Sequence, residues 1–212
     1  MYVPPMYRSH DRAEVFDLMA GSPLATLITV RGGTPEASHV PVILDPAGPG
    51  GEPLYLYGHM NRVNPQWESV GSGCPAMLIF AGPHGYVSPT VYGYLPAAPT
   101  WNFTAVHASG MLSAIDQAAE TMAVITATVK ALEGRFGAGW DMHESMDYFD
   151  QLLPGVGAFR MEVQRLESMH KLSQEQDPGV RERVADSFSR EDGAAQRQLA
   201  ELMRRCLHRP RS

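Results

Sequence analysis

Gly58-His59-Met60-Asn61-Arg62-Val63-Asn64-Pro65-Gln66-Trp67 is the stretch on which the reading of this chain turns. Two other segments share its character: Pro99-Thr100-Trp101-Asn102-Phe103-Thr104-Ala105-Val106-His107 and Lys171-Leu172-Ser173-Gln174-Glu175. Each sets polar or ionisable residues among bulky apolar neighbours, a mixture that suits a lined pocket better than a plain core. Working outward from the first, residues 54–58 read as a strand ending at His59, and Asn64-Pro65 as an N-cap followed by proline at the first helical position.

Upstream, residues 11–20 read as a short helix with Asp11 and Glu14 as a capping box. Residues 24–30 and 37–44 read as strands joined at Arg31-Gly32-Gly33-Thr34, and Pro41 marks the second as an edge or a bulge. Residues 45–53 form a Gly/Pro loop. Downstream, 76–81, 86–88 and 103–115 continue the β pattern. Met122, Ile125, Val129, Leu132 and Phe136 recur at three- and four-residue steps and predict a helix over 116–136. A second helix is expected over 141–153, capped by Asp141 and Glu144 and stopped by Pro154. Residues 156–163 and 168–172 read as strands, and 178–188 and 194–207 as helices. Short strands first and helices late give an α+β fold with an antiparallel sheet or barrel rather than a βαβ alternation. The expected domains are 1–188, with the helical pair at about 116–153 inserted, and 189–212 as a helix with a basic tail.

The 212 residues are 44% apolar, enough for one substantial core. The net charge of -6 gives nucleic-acid binding no support. From Arg181 to the end, eight arginines face five acids, a pattern expected of a solvated helix and tail. Cys74 and Cys206 have no metal-type spacing and fit a reducing compartment. Residues 1–10 show no charged-then-apolar leader, and no run approaches the ~20 apolar residues of a membrane span, so the expectation is a cytoplasmic protein off the membrane.

His59, between a glycine and a polar segment, either holds a metal or haem iron or hydrogen-bonds its own loop. His39 lines a cavity or caps a neighbour, and His107 is either an anchor or a pocket residue. His84 is expected in an exposed Gly82-Pro83-His84-Gly85 turn, and His10, His143 and His208 on the surface. Trp67, Tyr86, Tyr92, Trp101 and Phe103 either stack on a flat ring system or fill a core. Ser88, Thr90, Thr100, Asn102, Ser173 and Gln174 offer neutral hydrogen bonds. Arg62 and Lys171 are the cations for a propionate, phosphate or carboxylate.

Residues 58–67, Ser88-Pro89, 99–107 and 171–174 together resemble the PaiB-like, flavin-reductase-type split barrels, over nearly the whole chain. Relatives of the flavin type carry Trp-Tyr after Ser-Pro, where this chain has Val91-Tyr92, and a more basic loop than Gly93-Tyr94-Leu95-Pro96-Ala97-Ala98. Ser88-Pro89-Thr90-Val91-Tyr92, Gly137-Ala138-Gly139-Trp140-Asp141-Met142 and Lys171-Leu172-Ser173-Gln174-Glu175-Gln176 are instead similar to the haem-dependent piperazate synthases. The resemblance implies an antiparallel split β-barrel with peripheral helices. It implies a homodimer with the cofactor pocket at the subunit interface, haem b held by His59 as axial ligand, and Arg62, Trp101, Ser88 and Thr90 lining the cofactor. It further implies N5-hydroxy-L-ornithine as substrate, with His107, Tyr92 and Lys171 as acid–base candidates. Its alternative is an FMN-binding transcriptional regulator.

Overall fold

The computed structural model describes residues 1–9, 11–46 and 53–207; most of the loop expected over 45–53, His10, His208 and the last arginines lie outside that range. Six strands close into an antiparallel barrel: β1 (Leu24–Arg31), β2 (Thr34–Leu44), β3 (Leu54–Asn61), β4 (Cys74–Val87), β5 (Thr100–Ile115) and β6 (Val156–Lys171). Their order around the barrel is β1-β2-β3-β6-β5-β4, with β4 pairing back to β1. Among the described residues six α-helices accompany them: α1 (Arg12–Gly21), α2 (Trp67–Gly71), α3 (Ala118–Phe136), α4 (Met146–Leu152), α5 (Pro178–Ser189) and α6 (Ala194–Leu207). The chain divides into two compact units, Phe16–Phe80 with His107–Leu166, and Met1–Val15 with Ala81–Val106 and Glu167–Ser212.

In the first unit, β1 and β2 are joined by Gly32 and Gly33, whose φ values of 58° and 83° give the double left-handed turn that matches strand twist. Burial alternates cleanly along β3. Leu54, Leu56, Gly58 and Met60 are buried, while Tyr55, Tyr57 and His59 lie half-buried on the other face. β3 runs three residues beyond Gly58, so His59 sits inside the strand, opposite Ala158 of β6, and not at its end. The sequence hid this because Met60-Asn61 looks like the start of a loop, whereas pairing with β6 continues to Val156.

Gly58 faces Phe159 across the ladder; a Cβ there would lie 2.6 Å from the Phe159 ring and 2.8 Å from the Pro41 carbonyl oxygen. The buried Phe159 occupies the space that any side chain at 58 would need.

Pro41 is not on an edge, since β2 lies between β1 and β3. The Val42 amide donates to the Pro23 carbonyl at 2.9 Å on the β1 side. Successive amides alternate sides, so the N–H that Pro41 lacks belongs to the β3 side, and there the ladder begins only at Val42–Gly58.

α3 packs on β2 and β3, with Val124 against Ile115 and Ala158 and with Tyr57 beside them. Its buried stripe is Thr121, Val124 and Thr128, one position away from the expected apolar row, and Phe136 is 57% exposed. The threonines can be buried because their hydroxyls donate to backbone carbonyls, Thr121 to Ile115 and Thr128 to Val124. The expected Asp141–Glu144 box is replaced by Asp141 accepting from the His143 amide and ring, and the helix after it shortens to α4.

In the second unit, α5 and α6 pack through Val184, Phe188, Leu199 and Met203 onto Val87, Tyr92 and Leu172. The segment Gly82-Pro83-His84-Gly85 is not a turn but part of β4. Gly85 is there for packing: a Cβ would come within 2.5 Å of the Phe188 ring. β6 is likewise one strand where two were expected, its polar stretch 164–167 lying between β-paired neighbours. The basic terminal region is only partly solvated. Arg183 donates to the Val91 and Tyr92 carbonyls, and Arg181 is 94% buried with no hydrogen-bond partner for Nε or Nη2.

Gly58→Ala is expected to lower stability by about 1–3 kcal/mol through overpacking, measured as a lower urea midpoint at unchanged m-value. Arg181→Met should hold or raise that midpoint, because it keeps the apolar stem and removes a buried guanidinium whose Nε and Nη2 find no hydrogen-bond partner among the described residues; a clear fall would show that the charge stabilises the fold.

Candidate functional site

Where the β2–β3 ladder stops, the two strands part and a cleft of about 450 Å³ opens, lined by His39, Val40, Pro41, His59, Met60, Asn61, Asn64, Leu152, Gly155 and Val156. All of these belong to the first unit. His59 reaches the cleft because strand alternation turns it away from the barrel interior that Gly58 and Met60 face. Its Nδ1 is buried and has no hydrogen-bond partner. Burial also pushes the pKa of His59 down from its ordinary value of 6.5, so the imidazole is held neutral, the form that coordinates a metal.

The segment after His59 is pinned at several points. The Arg62 amide donates to the Gly155 carbonyl at 2.9 Å and its Nε to the Val156 carbonyl at 2.9 Å. Its guanidinium lies 5.1 Å over the Trp67 ring. Trp67 in turn lies across Gly157, where a Cβ would fall 2.6 Å from the indole. The buried Gln66 donates from Nε2 to the Leu27 and Glu36 carbonyls and to the Thr29 hydroxyl. Asn64 donates to the Ser38 hydroxyl at 2.9 Å and accepts from the Gln66 amide. Gln66 and Asn64 thus tie this loop to β1 and β2 beyond the end of the β2–β3 ladder. The quoted motif is therefore largely a brace for the strand that carries His59.

The remaining sequence-predicted residues divide between the units. His107, on β5, is in the first and half-buried. In the second unit, Ser88 accepts from the Thr90 amide and meets the Thr90 hydroxyl at 2.9 Å, capping a short turn over Pro89–Val91. Trp101 is 49% exposed, donates to His84 Nδ1 and contacts Tyr86 at 5.9 Å between ring centroids. Lys171 donates from Nζ to the Thr100 hydroxyl at 2.5 Å. Tyr92 is buried and stacked on Tyr94 at 5.6 Å, and burial raises its pKa, so it stays a neutral phenol. Asn102 and Ser173 bond each other in a buried pair. Arg62 is spent on Val156 and Trp67 and does not line the cleft. His39, for which lining a cavity is one of two sequence readings, does line it, and so do Asn61 and Asn64, which only their positions in the folded chain reveal. Among the described residues no cluster of three or more His, Cys, Asp and Glu could hold a free metal ion, and no helix is long and apolar enough to cross a membrane.

Residues 1–165 match the family described as "Putative FMN-binding domain". The chain belongs to this family. Among curated proteins it is 27% identical over 205 residues to "Protease synthase and sporulation protein PAI 2" of Bacillus subtilis, covering 96% of each chain. Among solved structures it resembles an FAD- and haem-binding protein of Mycobacterium smegmatis, with a TM-score of 0.54 and 17% identity over 78% of this chain and 73% of that one. It also resembles the flavocytochrome Anf3 of Azotobacter vinelandii, with a TM-score of 0.55 and 14% identity over 77% and 69%. At these identities the structural likeness establishes the split-barrel fold.

The lowered pKa of His59 fixes the sign of a pH effect. Below 6.5 the unfolded chain takes up a proton that the folded His59 resists, so stability falls as pH drops through that range. Urea unfolding of the wild type and His59→Gln between pH 8 and 5 (~three units about the histidine range) should show the wild type losing relative stability on the acid side. Parallel curves would mean that His59 titrates freely in the folded protein.

Proposed function

We propose that the chain is a haem-dependent enzyme that converts N5-hydroxy-L-ornithine to L-piperazate by closing an N–N bond with loss of water. The observation that carries the reading is His59: a neutral, desolvated imidazole with an orphaned buried Nδ1 in a cleft of about 450 Å³. This donor fits haem iron, and the motif resemblance to piperazate synthases supports the same residue as axial ligand. An FAD- and haem-binding protein with this fold supports the reading.

In the reaction the α-amine nitrogen attacks N5, the N–O bond breaks, and the oxygen leaves as water after gaining a proton. The α-amine gives up protons in the same conversion. Both nitrogens are nucleophiles and hydroxide leaves poorly; haem iron, when bound, supplies the Lewis acidity that weakens the N–O bond. His59 would hold that group, and the braced segment Arg62–Trp67 keeps the ligand strand rigid. Tyr92, kept neutral by burial, could only donate a proton. His107 and Lys171 are the other acid–base candidates, and Lys171 is also a cation for a carboxylate. A cytoplasmic homodimer belongs to this proposal.

A second reading, an FMN-binding regulator, is favoured by the family's own description and by the full-length likeness to PAI 2. The visible spectrum of protein made with a haem precursor separates the two. The proposal expects a Soret band that shifts on reduction and with CO, and loss of N5-hydroxy-L-ornithine to a dehydrated product. His59→Ala should lose the band and the turnover. A flavin spectrum with no ring closure would favour the regulator, and full haem loading with turnover in His59→Ala would remove His59 from its role.

A further inference from the structure

The cleft is chemically lopsided, and the strand order says which way. β3 lies between β2 and β6. On the β6 side the lining is Leu152, Gly155 and Val156, which offer no side-chain polar group. Toward β2 it includes His39, with Asn61 at the end of β3 and Asn64 just beyond. A flat amphipathic molecule held at His59 would therefore set its apolar body toward Val156 and its polar edge toward His39.

The state of these polar groups narrows what that edge carries. His39 is the register partner of Thr26 on β1, and its Nδ1 meets the Thr26 hydroxyl at 3.1 Å. Thr26 engages Nδ1, so Nε2 is the ring nitrogen left for a ligand, and it carries the proton in the tautomer in which the Thr26 hydroxyl donates. Asn61 spends its Oδ1 on the Val63 amide at 3.0 Å, which leaves its side-chain NH₂ as a donor. Asn64 is already held at both ends, its NH₂ by a bond to Ser38 and its Oδ1 by the Gln66 amide. The His39 ring and the Asn61 NH₂ are thus the donor groups on this side with a hydrogen bond still to give, and no carboxylate is among the cleft's lining residues. Arg62, the cation that the sequence offered for this task, is turned to Val156 and Trp67 instead.

We propose that His39 Nε2 and the Asn61 side-chain NH₂ form an anion-edge subsite of the His59 cleft, with Thr26 as the residue that orients His39. Its ligand chemistry is an oxyanion on the rim of a flat cofactor, a carboxylate or a phosphate; neutral donors bind such groups more strongly than they bind uncharged acceptors. The subsite rests on the reading that a cofactor occupies this cleft, but not on which one.

The test compares each cofactor with its uncharged counterpart. Wild type, His39→Ala, Thr26→Val and Asn61→Asp are titrated with haemin and with its dimethyl ester, read by the Soret shift. They are also titrated with FMN and riboflavin, read by quenching of flavin fluorescence. Asn61→Asp keeps the acceptor for Val63 and replaces the donor by a negative charge, so it remains informative if His39→Ala folds poorly. The expected result is a loss of about tenfold in haemin affinity for His39→Ala and Asn61→Asp, a smaller loss for Thr26→Val, and ester affinity within about twofold of wild type. His59→Ala should weaken acid and ester alike. Equal losses on haemin and ester, or none on either, would overturn the subsite while leaving haem binding intact. If the wild type takes up FMN and not haem, a loss confined to FMN over riboflavin supports the subsite and retires the haem reading; equal behaviour of the two flavins overturns it. A wild type that binds none of the four overturns both proposals.

Discussion

The missing N–H of Pro41 is the constraint on which the site depends. A closed barrel satisfies its backbone by unbroken ladders. Here β2 has no donor to give β3 at residue 41, and the ladder begins only at Val42–Gly58. The strands separate past that point, and the cleft lies in the separation. The backbone carbonyl that β2 exposes at Glu36 is met by the side chain of Gln66, and Ser38 by Asn64. A break in one ladder is thus bridged by side chains, beside the cleft that His59 lines.

The second constraint is the register of β3 against β6. Gly58 and Phe159 are partners, and Phe159 fills the volume in front of the glycine. Because side chains alternate with a period of two, this pairing fixes His59 on the outer face. A slip by one residue would put the imidazole inside the barrel and turn Gly58 and Met60 to the outer face. α3 covers the same face at Tyr57, so the cleft begins where that cover ends. Partial burial then keeps the imidazole neutral, and the geometry of the sheet and the protonation of His59 have one cause.

Several sequence expectations failed for a common reason. Gly82-Pro83-His84-Gly85 and 164–167 look like interruptions when only neighbours along the chain are considered. Within the fold, Gly85 makes room for Phe188, and one strand runs unbroken through the polar stretch. The α3 stripe moved by one position because threonines that hydrogen-bond backbone carbonyls can be buried as readily as aliphatic residues. Arg62 looked like a ligand for an anion, but a guanidinium over an aromatic ring with its Nε on a carbonyl serves as structural bracing.

The sequence by itself determined the class of fold, the positions of most strands and helices and the Gly32-Gly33 turn. These depend on local periodicity, turn chemistry and residue type, which are written along the chain. Only the tertiary structure decided which face His59 occupies, that His39 and Asn61 share its cleft while Arg62 does not, and that Arg181 is buried. Those outcomes depend on which strand pairs with which, and in what register. Register is set by contacts such as Gly58 with Phe159, whose partners lie about a hundred residues apart in the chain, beyond the reach of any local pattern.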